Sequence, residues 1–370
     1  MQRPDTAGGY YRPELDVLRF FAFFMVFLSH VVPGDEAFFG QLHVPRAAAD
    51  LIIGMAAGGA FGVDLFFALS SFLITTLLLR EHSECGAIDV PSFYVRRILR
   101  IWPLYFVFLF IAVPLLRHAL PDEHMPMKYI VAFALLSGNW ACAAWGYPHS
   151  VASPLWSVSI EEQFYLSWPL IMRCWIRHLT AAAFVLLALA CIVRVCLVYK
   201  GAEHPQIWCN TLARLDPIAW GALLAVFVER REVVLSPWKR SALLLSGVAV
   251  LTAAGLYGDF VGTRALIMYP AVAVACTALI LGALNLQVAG RPAVRGLVYL
   301  GRISYGLYVF HSIFIKMFDV TSAHDPGARG ARTALALLST VATAAVSYHL
   351  LETPFLRLKQ AFTQVQSRPV

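Results

Sequence analysis

Residues 12–33 read RPELDVLRFFAFFMVFLSHVVP, an apolar run with one arginine near its start and one histidine near its end. About 20 apolar residues at 1.5 Å each cross the roughly 30 Å hydrocarbon layer of a bilayer, so the run is a candidate membrane helix. Arg19 and His30 are separated by ten residues. Eleven steps of about 100° return almost to the same angle, which puts both side chains on one face and roughly 16 Å apart along the axis. A cation and an imidazole on one stripe of such a helix are costly in lipid and are expected to face the protein interior or a water-filled cavity. A plainer reading stands beside it: Arg19 is an anchor partnered by Asp16 three residues earlier, and His30 is an interfacial residue that bonds a loop carbonyl.

The rest of the 370 residues has the same character. With 59% hydrophobic and 14% charged residues and a mean hydropathy of +0.68, the chain holds more apolar surface than one soluble core can hide. The composition predicts an all-α membrane protein. A formal charge of +7 comes from arginines clustered in short segments between apolar runs. That pattern suits cytoplasmic loops and contains no basic stripe with interleaved aromatics, so no nucleic-acid partner is expected. The first run carries Arg19 and His30 and lacks an A-x-A exit, so it is not expected to be a cleaved signal peptide. Seven cysteines without a C-x-x-C pair argue against a metal site or a disulfide framework. Most read as small apolar fillers, and only Cys142 and Cys209 are placed to meet outside the membrane.

Further spans are expected at 51–79, 101–116, 156–171, 179–198, 212–228, 241–257, 266–286, 303–319 and 332–351, giving about ten in a single domain over 1–370. Arg80, Arg96, Arg97 and Arg100 mark a cytoplasmic connection, which places both termini inside and His30 toward the far side. The connections Glu229 to Arg240 and Arg291 to Arg302 are expected inside as well, and PDEHMP (121–126) outside. Between Met127 and Ile171 an odd number of crossings is needed. The first part is expected to be a short or re-entrant segment lining a cavity, with Trp156 to Ile171 as the true span. No appended soluble domain is expected after the last span.

Several constellations interrupt the apolar runs. PLWSVSIEEQFYLSWPL (154–170) places Glu161 and Glu162 inside a span; adjacent on a helix, they cannot face the same partner, whereas Glu161 and Tyr165 share a face. The pair can be structural, balancing an arginine of another helix, or catalytic. Asp64 in GGAFGVDLFFALSSFLIT (58–75) opens a span, where a carboxylate caps a helix or serves a site. Arg97 and Arg100 form one cationic face suited to phosphate, or to topology alone. Ser304, Tyr308 and His311 fall at i, i+4 and i+7 on one stripe. His349 and Glu352 lie three apart, and Arg214 with Asp216 reads as a local charge pair.

Together these segments resemble the acyltransferase-3 family of integral-membrane acyltransferases, whose members O-acetylate bacterial surface glycans and some small molecules. The family's arginine, ten residues, histidine signature is matched by Arg19 and His30. G-V-D-[LV]-F-F is matched at Gly62–Phe67, R-R-x-x-R-I-x-P at Arg96–Pro103, W-S-[LV]-S-[IV]-E-E-Q-F-Y at Trp156–Tyr165, and L-G-x-[IV]-S-Y-x-L-Y at Leu300–Tyr308. Ser71 stands where the family usually has glycine.

The resemblance implies an acetyl-CoA-dependent O-acetyltransferase of the bacterial inner membrane, with no metal. Arg97, Arg100 and Arg19 would hold the donor's phosphates at the cytoplasmic mouth, and the pantetheine arm would extend along the Arg19–His30 face. His30 would act as general base or carry the acyl group, with Arg19 and Glu161 completing the catalytic set. Asp64, Glu162, Tyr165, Ser304, Tyr305 and His311 would support the site or line the acceptor path. The implied acceptor is a hydroxyl of a surface polysaccharide or its lipid-linked precursor; a small molecule such as a macrolide is the alternative. A transporter with an intramembrane His/Arg/Glu relay is the reading from another class.

Overall fold

The computed structural model describes residues 10–120, 122–258, 260–286, 292–363 and 365. Pro121, Arg291 and both chain termini, on which the topology expectation partly rests, lie outside the described residues. Among the described residues the regular elements are all helical.

Helix α1 (Pro13–Val31) starts with proline in its first turn, carries Glu14 and Asp16 there and has His30 in its last turn, all suited to the helix dipole. A short α2 (Glu36–Gln41) is capped by Asp35, which accepts from Ala37 N at 2.8 Å. Helix α3 (Arg46–Gly58) then passes through a 3-10 turn into α4 (Gly62–Cys85). This junction meets α1 backbone to backbone: a methyl group on Gly62 would overlap the Ala22 carbonyl oxygen.

Asp89 caps α5 (Val90–Val107), which continues through a π turn at Phe108–Ala112 into α6 (Val113–Leu116). Pro114 cannot donate to the preceding turn, and the wider ring accommodates that loss. Next come α7 (Met127–Ala134) and α8 (Gly138–Trp145), eight residues each and reversed at Leu136, whose φ is 54°. At about 12 Å neither crosses a bilayer, which agrees with the short segment expected there. The long apolar run from Ser153 to Tyr199 breaks at Ile176–His178 into α9 (Trp156–Trp175) and α10 (Leu179–Tyr199).

The second half holds α11 (Asp216–Arg230), α12 (Pro237–Tyr257), α13 (Ala265–Ala283), α14 (Pro292–Arg302), α15 (Ser304–Met317), α16 (Pro326–Ser347) and α17 (Thr353–Lys359). Helix α14 is a departure: the sequence reads a basic connection there, and the residues instead form a helix against α1.

Among the described residues, six helical stretches are long and apolar enough to cross a membrane, and one of them is the broken α9–α10 run. Helix α1 falls outside this class through Glu14, Asp16 and Arg19, and α11 and α15 through lengths of 15 and 14 residues. With those three the bundle has about ten spanning helices, as expected. Helix α4 packs against α1 and α11 in the centre, α12 and α13 flank one side, and α15 and α16 the other. The core is aromatic, with Phe23, Phe27, Phe67, Phe72 and Trp168 fully buried. Phe184, Val185, Ile192 and Leu350 are each more than half exposed, on faces where a soluble helix would carry charge.

Candidate active site

Five helices bring polar side chains to the middle of the bundle around two cavities. The first, of about 80 Å³, is lined by Arg19 from α1, Ser70 from α4, Arg97 and Arg100 from α5, Glu161 and Tyr165 from α9, and Ser304, Tyr305 and Tyr308 from α15. Arg19 lies 3.6 Å from Asp16, so the plain anchor reading and the cavity reading both hold for it. Glu161 accepts from Ser70 Oγ at 2.9 Å and from Tyr165 OH at 3.1 Å, the second bond following from their i, i+4 spacing. The Arg97 guanidinium stands 5.6 Å over the Tyr165 ring, and its buried Nε meets no hydrogen-bond partner. Tyr305 donates to the Ile101 carbonyl at 3.1 Å, which fixes α15 to α5.

The second cavity, of about 900 Å³, lies at the other end of α1 and is lined by His30, His311, Tyr308, Ser312, Lys316 and the loops carrying Tyr147–Ser150 and His204–Trp208. His30 is exposed into it. The His311 ring stacks on His30 with centroids 5.4 Å apart. Its Nδ1 lies 2.6 Å from the Tyr308 carbonyl, which can only accept, so Nδ1 carries the proton. The buried Nε2 then holds the lone pair and meets no partner. The rim is fastened rather than loose: Ser312 Oγ donates to the Val151 carbonyl at 2.6 Å, and Glu123 accepts from Val151 N at 2.8 Å. Burial and the nearby Arg214 hold the rim imidazole of His204 below its ordinary value.

Tyr308 and Val63 line both cavities and form the septum between them. The Tyr308 hydroxyl donates to the Pro154 carbonyl at 2.9 Å and bonds Ser157 Oγ at 2.7 Å. The stripe read from sequence is thereby resolved: Ser304 faces the arginine-side cavity, His311 the histidine-side cavity, and Tyr308 sits between.

Two of the residues expected to support the site lie elsewhere. Glu162 turns to the other side of α9 and accepts from Trp102 Nε1 at 3.0 Å. Asp64 sits in the first turn of α4 and accepts from Arg214 Nη2 at 2.6 Å. The local pairing of Arg214 with Asp216 is overturned, because Asp216 takes both Nη atoms of Arg194, a buried arginine of α10. Residues two apart point in different directions and leave each to a distant partner. His349 bonds Tyr299 OH at 3.1 Å and stacks on that ring, away from both cavities.

Sequence reasoning also passed over Ser70, Ser157 and Lys359. The serines were visible only as hydroxyls inside apolar runs. Lys359, near the chain end, lines a small pocket with Arg96, Arg97 and Glu81 beside the arginine-side cavity.

The acyltransferase-3 family model, an acyltransferase domain, matches residues 12–352. The peptidoglycan O-acetyltransferase OatA of Listeria monocytogenes is 27% identical over 96% of this chain and 57% of its own length. A putative peptidoglycan O-acetyltransferase, YrhL of Bacillus subtilis, is 28% identical over 93% of this chain and 55% of its own. A putative O-acetyltransferase of Staphylococcus aureus is 26% identical over 80% and 53% respectively. The chain thus spans about half the length of these curated relatives. No solved structure matches it. The chain belongs to the acyltransferase-3 family.

Proposed function

We propose that this member of the acyltransferase-3 family moves an acetyl group from cytoplasmic acetyl-CoA to a hydroxyl of a cell-surface glycan, in a bacterial cytoplasmic membrane. One observation carries the reading: a single helix, α1, presents Arg19 to a cationic cavity at one end and His30 to a wide cavity at the other, and the two cavities abut at Tyr308.

The donor set suits a phosphorylated thioester. Arg97, with its unpartnered buried Nε, and Arg100 and Arg19 in the same cavity, offer guanidinium forks to phosphate. A space of about 80 Å³ is too small for a nucleotide. The nucleotide would therefore rest at the mouth near Arg96 and Lys359 while the pantetheine arm points toward the septum. The 900 Å³ cavity is roomy enough for sugar rings and lies on the face we assign to the outside.

There His30 would take the proton of the acceptor hydroxyl, or accept the acyl group first. His311 would keep His30 in place by stacking and supply a second lone pair at Nε2. Glu161, held by Ser70 and Tyr165, would balance the arginines. The relatives' names favour a glycan such as peptidoglycan as acceptor.

The test is transfer of radiolabelled acetyl from acetyl-CoA to cell-wall glycan by the purified chain in proteoliposomes, with His30→Ala beside it. Label on glycan that depends on His30 is the expected result. Equal transfer by His30→Ala would overturn the assignment of the base, and absence of transfer to any glycan by folded protein would overturn the acceptor.

A further inference from the structure

Cys142 and Cys209, 67 positions apart in sequence, are both fully buried, and their thiols are electrostatic neighbours. A polar clamp holds the two backbones together independently of the sulfurs. Asn139, one turn before Cys142 on α8, donates from Nδ2 to the Cys209 carbonyl at 3.0 Å and to Thr211 Oγ1 at 2.8 Å. Gln163 of α9 closes the set, donating to Asn139 Oδ1 at 2.8 Å and accepting from Thr211 Oγ1 at 2.6 Å. Cys209 Sγ also donates to Tyr147 OH at 3.5 Å, and Tyr147 and Trp208 line the histidine-side cavity. The other five cysteines lie elsewhere, four of them exposed and Cys276 buried.

We propose that Cys142 and Cys209 are joined as a disulfide that staples the α8 hairpin to the loop around Trp208 and so fixes one wall of the histidine-side cavity. The proposal rests on the assignment of that cavity to the outside, where disulfides persist. With the two backbones held by the clamp, side-chain rotation brings the sulfurs to the bond length of about 2.05 Å. The oxidant is an extracytoplasmic disulfide. One cysteine thiolate attacks it to give a mixed disulfide and a first free thiol, and the second cysteine displaces the other. The two cysteines thereby lose two protons and two electrons, and the oxidant gains two thiols. Because neither sulfur is exposed in the folded chain, exchange precedes closure of the clamp.

The experiment uses the full chain in isolated membranes. Free thiols are blocked with N-ethylmaleimide in denaturant without reductant, and the digest is mapped by mass spectrometry. The expected result is a Cys142–Cys209 linked peptide that disappears on reduction, and a Cys142→Ser variant in which Cys209 becomes fully alkylated. Cys85, exposed at the arginine end of the bundle, reports the orientation through a membrane-impermeant maleimide applied to spheroplasts. Alkylated Cys142 and Cys209 with Cys85 protected would overturn the disulfide and leave the sidedness standing. Alkylated Cys142 and Cys209 with Cys85 labelled from outside would overturn both. None of these readouts depends on acetyl transfer.

Discussion

Two sets of charges lie inside this bundle, and they are used differently. In the α4–α10–α11 core, Arg194 grips Asp216 and Arg214 grips Asp64, with side-chain exposures of 0–4%. The Arg214 guanidinium lies 4.0 Å over Trp208 and 4.8 Å over Tyr269, so even its faces are covered. Each charge there closes on an opposite charge. Around the cavities, Arg97, Arg100 and His30 face open space instead. Charge closed on an opposite charge holds a wall in place; charge that faces a cavity is available to a ligand. Trp208 joins the two sets, because it covers Arg214 and lines the histidine-side cavity.

The largest effect is expected where the closed set is opened. Arg214→Ala strands Asp64 in the core, and removal of one partner from a buried pair costs about 3–5 kcal/mol. Loss of monodisperse protein in detergent is expected, and Asp64→Asn/Arg214→Met should recover part of it. An Arg214→Ala chain that melts like the native one would erase the distinction between the sets. His30→Ala is next: acetyl transfer should fall by about 10²–10⁴-fold, the usual worth of a positioned base, while the melting temperature stays unchanged. Then comes Arg97→Ala, for which loss of a charge-assisted contact should raise KM for the proposed acyl-CoA donor about tenfold with kcat nearly kept. Arg97→Lys should fall between, since an ammonium lacks the fork. Glu229→Gln, which breaks a half-exposed pair with Arg80 at 3.0 Å, should change stability by less than about 1 kcal/mol. A larger shift would show that rim charges also belong to the closed set.

The legible parts of this protein are those decided within one helix. Arg19 and His30 share a face because their spacing fits the helical repeat, and Glu161 meets Tyr165 for the same reason. The span boundaries follow from apolar length, since the bilayer leaves few ways to satisfy backbone groups. What stayed hidden depends on partners far away in the chain. Arg194 sits in an apolar run with no neighbour to announce its use, and Asp64 has its cation 150 positions away. The division of the polar stripe on α15 between two cavities required the position of Ser157 on α9 and of Pro154 in the turn before it. Helix α14 was missed because its basic residues suit a loop in sequence, whereas in space Gly301 lets the segment close on α1 as a helix.

The septum at Tyr308 bears on membrane voltage. A charge crossing an energised membrane changes energy by about 2.3 kcal/mol per 100 mV. If the two cavities open to opposite sides as proposed, nearly all of that drop falls across the layer between them, that of Tyr308 and Val63. A proton or carboxylate passing the layer would feel almost the full voltage. A neutral acetyl group would feel none of it, so on the proposed route the same layer would insulate the cell electrically and still pass the cargo.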